Sequence, residues 1–139
     1  LLRHRHHSGR DGYDTYRIPA ILRAQNGDLL LKRSSDGGRT WTAPVDAPAL
    51  IEPVCQASLV RADAAKLLLF SNPADPKKRV NLTVRASADN AKTWRDVAVL
   101  HAGPSAYSCL VALSATAAAC PYERGEKRYH EKSPSRAST

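Results

Sequence analysis

The octapeptide SSDGGRTW at residues 34–41 recurs as SADNAKTW at residues 87–94, and this repeat decides the fold. Both copies follow the frame Ser-x-Asp-x-(Gly or Ala)-x-Thr-Trp. In such a turn the Ser hydroxyl and the Asp carboxylate accept backbone N–H groups, Gly supplies a positive φ, and Trp packs beneath. Repeats of about 40–50 residues with several strands each predict blades of a β-propeller. The residues assigned to the two turns are Ser34, Asp36, Gly38, Trp41, Ser87, Asp89 and Trp94.

The second copy of the repeat departs from the first at one position. Ala91 stands where the first copy has Gly38. Because only Gly adopts a positive φ without steric cost, we expect backbone strain at Ala91.

The segments around the repeat have the period of β strands. Residues 20–34 contain two apolar runs joined by Asn26-Gly27, a dipeptide that favours tight hairpin turns. Residues 66–74, KLLLFSNPA, predict a short buried strand, and residues 108–114, SCLVALS, a further apolar run. No segment has a sustained helical period, so the sequence predicts an all-β fold.

Residues 79–87, RVNLTVRAS, alternate along a further predicted strand. The pattern places Val80, Leu82 and Val84 on one face and Arg79, Asn81, Thr83 and Arg85 on the other. Both arginines are therefore expected on the same face.

Composition narrows the possible functions. The chain has 139 residues, 42% of them hydrophobic, which suffices for one ordinary domain with its own core. A formal charge of +8 favours anionic partners, but the basic residues are scattered, so nucleic acid is not an expected partner.

No apolar run reaches the length of a membrane span. The first fifteen residues lack the apolar core of a signal peptide, so a protein exported in this way would carry its signal outside this chain.

The two ends and the cysteines give no site. His4, His6 and His7 lie in a stretch, residues 1–12, that predicts a flexible, solvated terminus and not a metal centre. Residues 13–130 are the predicted β domain, and residues 131–139 predict a disordered tail. Cys55, Cys109 and Cys120 follow no metal-ligand spacing and allow at most one disulfide.

An arginine followed closely by a proline occurs in the apolar segment DTYRIPAIL, residues 14–22. Pro19 cannot donate to a sheet ladder, so the segment is either an edge strand with a solvated Arg17 or a strand that aims Arg17 at an anion. The spacing alone leaves both interpretations open.

The motifs together resemble a known family. The two repeats are similar to the Asp-boxes of sialidases, and YRIPAIL resembles the Arg-Ile-Pro motif near the start of these enzymes. The segments EPVCQASLVR, LLLFSNPA, RVNLTVRASADNAKTW, GPSAYSCLVAL and YERGE resemble, in the same order, the last part of bacterial exo-α-sialidases. The resemblance covers most of residues 11–129. It implies a partial β-propeller with two or three blades of a six-bladed ring, and a secreted or periplasmic location for the family.

The resemblance also implies roles for single residues. Sialidases hold the carboxylate of sialic acid with three arginines, which suits planar guanidinium groups that pair bidentately with oxygens. Arg17 matches the first arginine and Arg79 the last, with Arg85 as the alternative. Tyr107 matches the tyrosine nucleophile, and Glu123 matches the glutamate that supports the first arginine. The implied partners are sialic-acid-containing glycans, without a cofactor or metal.

Parts of the family pattern have no counterpart. The segments that carry the acid/base aspartate, the base glutamate and the middle arginine are missing, and Asp36 and Asp89 are turn residues that do not replace them. Glu52 is not assigned as the base. The resemblance therefore implies an internally shortened sialidase that is impaired or inactive, and terminal blades with exposed faces predict self-association. The alternative is a non-catalytic Asp-box module that binds glycans or another protein.

Overall fold

A computed structural model describes residues 20–23, 29–32, 34, 36 and 38–131. The chain divides into a first unit that ends at Pro48 and a second unit that begins at Ala49, within the residues predicted to form one β domain. Arg17 and the histidines His4, His6 and His7 lie outside the described residues.

Strands dominate the described residues, and the prediction of an all-β fold is confirmed. In chain order the strands are β1 (Ala20–Arg23), β2 (Leu29–Lys32), β3 (Val45–Asp46), β4 (Ser58–Ala62), β5 (Leu67–Pro73), β6 (Val80–Ser87), β7 (Arg95–Ser108), β8 (Val111–Ala112), β9 (Ala118–Ala119) and β10 (Tyr122–Arg124). A short 3-10 turn at Asp63–Ala65 connects β4 to β5. The described residues contain no helix with the length and apolarity that crossing a bilayer requires.

The first unit contains an antiparallel sheet in the order β1-β2-β3. Arg23 pairs with Leu29, so β1 and β2 form the expected hairpin, while its connection with Asn26-Gly27 lies outside the described residues.

The second unit is built on a five-stranded antiparallel sheet in the order β10-β7-β6-β5-β4. β8 and β9 pair separately. The predicted buried strand is confirmed as β5, in which Phe70 is 0% exposed. The hydrophobic core of this unit includes a cluster of buried side chains that contains Leu69, Val84, Ala86 and Leu110.

The alternation expected along residues 79–87 is only partly present. β6 lies inside the sheet, and the polar Thr83 and Arg85 are as buried as Leu82 and Val84. Asn81 has a φ of 57°, and the pairing with β7 shifts register around Leu82. Because an irregularity of this kind interrupts the two-residue period, the expectation that Arg79 and Arg85 share a face does not follow from the strand pattern.

Arg85 is an internal residue of the sheet. Its Nε donates to Asp96 Oδ1 at 2.9 Å, and its Nη1 donates to Asn72 Oδ1 at 3.0 Å. The Arg85 side chain is 5% exposed and the Asp96 side chain 68% exposed. A buried guanidinium is stable only with such partners, so these contacts indicate a structural role for Arg85.

The two repeated turns have matching hydrogen bonds. Ser34 Oγ accepts the Gly38 N–H at 2.7 Å, and Ser87 Oγ accepts the Ala91 N–H at 2.8 Å. In each turn the Asp carboxylate accepts the N–H and the hydroxyl of the following Thr, the hydroxyls of Thr40 and Thr93 both lying at 2.6 Å. The turn mechanism expected from the sequence is therefore present in both copies.

The strain expected in the second turn is also present. Ala91 has a φ of 65°, and Gly38 at the equivalent position has a φ of 87°. Trp94 packs edge-on against Phe70 with ring centroids 5.9 Å apart, as expected for a residue beneath the turn. Trp41 differs because it remains 41% exposed within the described residues while its Nε1 donates to the Gly38 carbonyl.

Candidate functional site

Neighbouring strands of the five-stranded sheet bring three of the predicted site residues together. Arg79 directly precedes β6, Tyr107 lies near the end of β7, and Glu123 is the middle residue of β10. The Ser105 N–H donates to the Arg79 carbonyl at 2.9 Å, which joins the start of β6 to β7. Tyr122 pairs with Ser108, so Tyr107 and Glu123 are close across the β7–β10 ladder.

Tyr107 faces an open pocket of about 360 Å³. Its side chain is 51% exposed, and its backbone N–H lies 3.5 Å from Glu123 Oε2, a long hydrogen bond. The residues that line the pocket are Gln56, Tyr107, Ser108, Cys109, Pro121, Tyr122 and Glu123. An exposed phenol in a concave site is accessible to a ligand, as a nucleophile requires.

Gln56 fixes the backbone beside Tyr107. Its Oε1 accepts the Ser108 N–H at 3.0 Å, and its Nε2 donates to the Ser108 carbonyl at 3.1 Å. The Ser108 hydroxyl lies 2.8 Å from the buried Ser71 hydroxyl, which holds the same residue from inside the sheet. Sequence reasoning missed Gln56, because its role depends on a partner 52 positions away. The sequence feature that could have identified Gln56 as a site residue is its position in the segment EPVCQASLVR, which resembles the family.

The Arg79 guanidinium forms no salt bridge with a carboxylate in the described part of the chain. Its Nη2 donates to the Val54 carbonyl at 2.8 Å. Its Cζ lies 5.9 Å from the centroid of the Tyr107 ring and 5.0 Å from that of Tyr129. A half-buried guanidinium of this kind can bind an anionic group, whereas Nε and Nη1 of Arg85 already have protein partners.

The backbone that receives Arg79 is strained. Val54 has a φ of 63°, a conformation that costs a β-branched residue energy and that clusters at functional sites. Glu52 Oε2 accepts the N–H of the neighbouring Cys55 at 3.1 Å and thereby closes this turn. The carboxylate of Glu52 is thus a structural part of the loop that carries Val54.

Asp36 and Asp89 are held as carboxylates by their turns. Hydrogen bonds from the side chain and backbone of Thr40 hold the pKa of Asp36 far below its ordinary value. Thr93 does the same for the pKa of Asp89. A general acid must hold a proton at working pH, so neither carboxyl is suited to act as a general acid.

The cysteines are free thiols in this structure. Burial raises the pKa of Cys55, although the nearby charge of Arg79 acts in the opposite direction. Burial likewise raises the pKa of Cys120, while Cys109 is exposed at the pocket. The described residues contain no group of three or more His, Cys, Asp and Glu side chains that could hold a metal ion.

Arg17 and the support that Glu123 was expected to give it lie outside the described residues. That pairing stays a prediction. The structure brings Tyr107, Glu123 and Gln56 together at the pocket. Arg79 is not among the lining residues but lies against the rings of Tyr107 and Tyr129.

Known proteins match the same region of the chain. A family model described as a BNR repeat-like domain matches residues 12–120. The chain is 36% identical over 110 residues to a sialidase of Micromonospora viridifaciens, with 73% of this chain and 17% of the relative covered. It is 38% identical over 77 residues to a sialidase of Bacteroides fragilis strain YCH46, with 50% of this chain and 14% of the relative covered.

A solved structure is also similar. The Hadza microbial sialidase Hz136 matches with a TM-score of 0.62 and 35% identity, over 73% of this chain and 22% of that chain. The predicted fold class, an all-β partial β-propeller of the sialidase type, is thereby confirmed. The chain spans 17% and 14% of the lengths of the two curated relatives.

Proposed function

The chain belongs to the BNR repeat-like domain family and is a sialidase-family sequence. From this we propose that its second unit binds sialosides without cleaving them at ordinary enzyme rates. The proposed ligand is the terminal sialic acid of a glycoconjugate, the substrate class of exo-α-sialidases. The activity of a whole sialidase is not assigned to the chain, since it covers less than a quarter of each of these relatives.

The observation that carries the proposal is the position of the Arg79 guanidinium beside an exposed Tyr107. A guanidinium without a carboxylate partner among the described residues is suited to the carboxylate of sialic acid. Tyr107 stands 5.9 Å from it, ring centroid to Cζ, and the open pocket with Glu123 accommodates a sugar-sized group. Arg17 is the second arginine that the resemblance implies, but the proposal rests on Arg79.

Hydrolysis needs more than these residues. In a retaining double displacement the Tyr107 phenol would attack the anomeric carbon, because a neutral nucleophile is repelled less by the neighbouring carboxylate than a second carboxylate would be. The phenol requires a base, and the leaving oxygen requires an acid. Each positioned proton-transfer group typically contributes about 10²–10⁴-fold to the rate. The segments that carry both groups in the family have no counterpart in this sequence, so we propose that the chain retains binding and not turnover.

Two measurements on the full chain test the proposal. We expect hydrolysis of a fluorogenic sialoside to stay far below the ordinary range of about 1–10³ per second. Titration with N-acetylneuraminic acid, followed by NMR, should show weak binding that is lost in Arg79→Met and retained in Tyr107→Phe. N-acetylglucosamine, which has no carboxylate, is the control ligand. Ordinary turnover, or equal binding of both sugars, would contradict the proposal.

A protein-binding role is the second candidate, in which the Asp-box turns only support the module. It is favoured by apolar side chains on the surface of β7, where Val97 is 48% exposed and Val99 59% exposed. Exposed apolar side chains on a strand surface promote association of one protein chain with another. Self-association without any effect of N-acetylneuraminic acid would favour this alternative over the sialoside site.

A further inference from the structure

Tyr129 lies closer to Arg79 than the predicted nucleophile does. The Arg79 Cζ is 5.0 Å from the centroid of the Tyr129 ring and 5.9 Å from that of Tyr107. We propose that Tyr129 is a positioning residue that holds the Arg79 guanidinium beside Tyr107 before a ligand arrives. This inference rests on the proposed function, in which Arg79 binds the carboxylate of sialic acid.

The turn that carries Tyr129 is held by its own hydrogen bonds. The Glu131 carboxylate accepts the N–H groups of Glu126 at 2.9 Å and Arg128 at 3.0 Å, with a longer bond from Lys127 at 3.4 Å. The ring of the adjacent His130 meets that of Tyr129 edge-on, with centroids 5.2 Å apart. Tyr129 therefore projects from a turn in which the Glu131 carboxylate accepts three backbone N–H groups, and not from an unrestrained segment.

The same turn is tied to the strand that carries Tyr107. The Gly125 N–H donates to the Pro104 carbonyl of β7 at 2.9 Å. A Cβ at position 125 would overlap the Arg128 carbonyl oxygen, so this close approach of backbone to backbone requires Gly. His101 Nε2 lies 3.1 Å from the Gly125 carbonyl and adds a second link to β7. Tyr107 and Tyr129 are thus both fixed to one strand.

The contacts of Arg79 restrain it without neutralising it. The Val54 carbonyl and the two tyrosine rings hold the guanidinium, and no carboxylate in the described part of the chain pairs with it. A cation over an aromatic ring is attracted by the ring quadrupole and keeps its full charge. A long Arg side chain otherwise loses rotamer freedom when it binds, and restraining it beforehand lowers that cost.

The comparison of Tyr129→Leu with Tyr129→Phe tests the inference on the full chain. Leucine keeps an apolar side chain of similar bulk without a ring, whereas phenylalanine keeps the ring without the hydroxyl. The readouts are the NMR resonance of the Arg79 Nε–H, assigned by its loss in Arg79→Met, and the affinity for N-acetylneuraminic acid. Ring currents shift that resonance only while an aromatic ring stays close. Glu131→Gln serves as a second variant that loosens the turn with the ring intact.

We expect Tyr129→Leu to move the Arg79 resonance and to weaken binding by about two- to tenfold, the cost of ordering one long side chain. Tyr129→Phe should preserve both, and Glu131→Gln should move both in the direction of Tyr129→Leu. An unmoved resonance in Tyr129→Leu, or a moved resonance with unchanged affinity, would overturn the inference. If the unsubstituted chain does not bind N-acetylneuraminic acid, the proposed function fails, while the resonance still decides whether Tyr129 positions Arg79.

Discussion

Substituting either of two arginines by methionine should give opposite results, although six positions separate them in the sequence. Arg85→Met should destabilise the second unit without direct loss of a ligand contact. Arg79→Met should abolish binding of N-acetylneuraminic acid and leave the fold nearly as stable. Methionine keeps most of the aliphatic stem in both variants, so that the guanidinium is the group removed.

The magnitudes follow from what each guanidinium contacts. Loss of Arg85 leaves the side-chain oxygen Oδ1 of Asn72, in a residue that is 0% exposed, without its 3.0 Å donor, which costs about 1–3 kcal/mol. Asp96 is 68% exposed at its side chain, so its carboxylate becomes hydrated and adds only about 0–1 kcal/mol. The free energy of unfolding should therefore fall by about 1–4 kcal/mol. Arg79 is partly exposed, and so is Val54, whose carbonyl water can solvate once the 2.8 Å hydrogen bond is lost. Losing this bond and the ring contacts should therefore cost only about 1 kcal/mol.

Thermal denaturation followed by circular dichroism measures the difference. For a unit of this size each kcal/mol lowers the melting temperature by about 4–8 °C. Arg85→Met should thus melt well below Arg79→Met, while its folded form at low temperature still binds N-acetylneuraminic acid. Equal melting temperatures would refute the buried role of Arg85. Loss of binding in a fully folded Arg85→Met protein would make Arg85, and not Arg79, the carboxylate-binding residue.

Three further results are expected. The pKa of Asp89 is lowered by its turn, so its contribution to stability is fully present above the unfolded pKa of about 3.9 and is lost as the pH falls toward the folded pKa. Asp89→Asn should therefore melt below the unsubstituted chain at pH 6, and this gap should narrow below about pH 4. Iodoacetamide at pH 7.5 should alkylate the exposed Cys109 before Cys55, whose raised pKa leaves less thiolate, as peptide mass spectrometry would show. Val99→Lys should reduce concentration-dependent association in sedimentation experiments, since Val99 is 59% exposed on β7.

The sequence predicts the repeated turns well because their chemistry is local. Ser87, Asp89 and Thr93 lie within one turn, and each hydrogen bond that defines it joins residues no more than four apart. The strain at Ala91 follows from the same argument, since a residue in the Gly position inherits its φ. The existence of strands β5 and β6 is also predictable from their apolar residues, although the faces expected for β6 are only partly present.

The surroundings of Arg79 were not predictable in this way. Alternation assigns Arg79 and Arg85 to one face only if the strand is regular, and a single left-handed residue, Asn81, removes that condition. The partners Val54 and Tyr129 come from segments far along the chain, and no local periodicity relates them to Arg79. The family resemblance distinguished Arg79 from Arg85 by motif position, while the structure adds a physical distinction through their different partners.

The relative placement of Arg79, Tyr107 and Glu123 depends on one sheet. Arg79, Tyr107 and Glu123 come from the adjoining ends of β6, β7 and β10, and ladder hydrogen bonds hold these strands in register. Backbone bonds from Ser105 to Arg79 and from Gly125 to Pro104 fix the same ends. Relative placement within such a ladder does not require residues from other blades. The ladder alone thus keeps Arg79 beside Tyr107. Under the proposed function, in which Arg79 binds a carboxylate and no positioned acid and base complete the site, binding and turnover are therefore expected to separate.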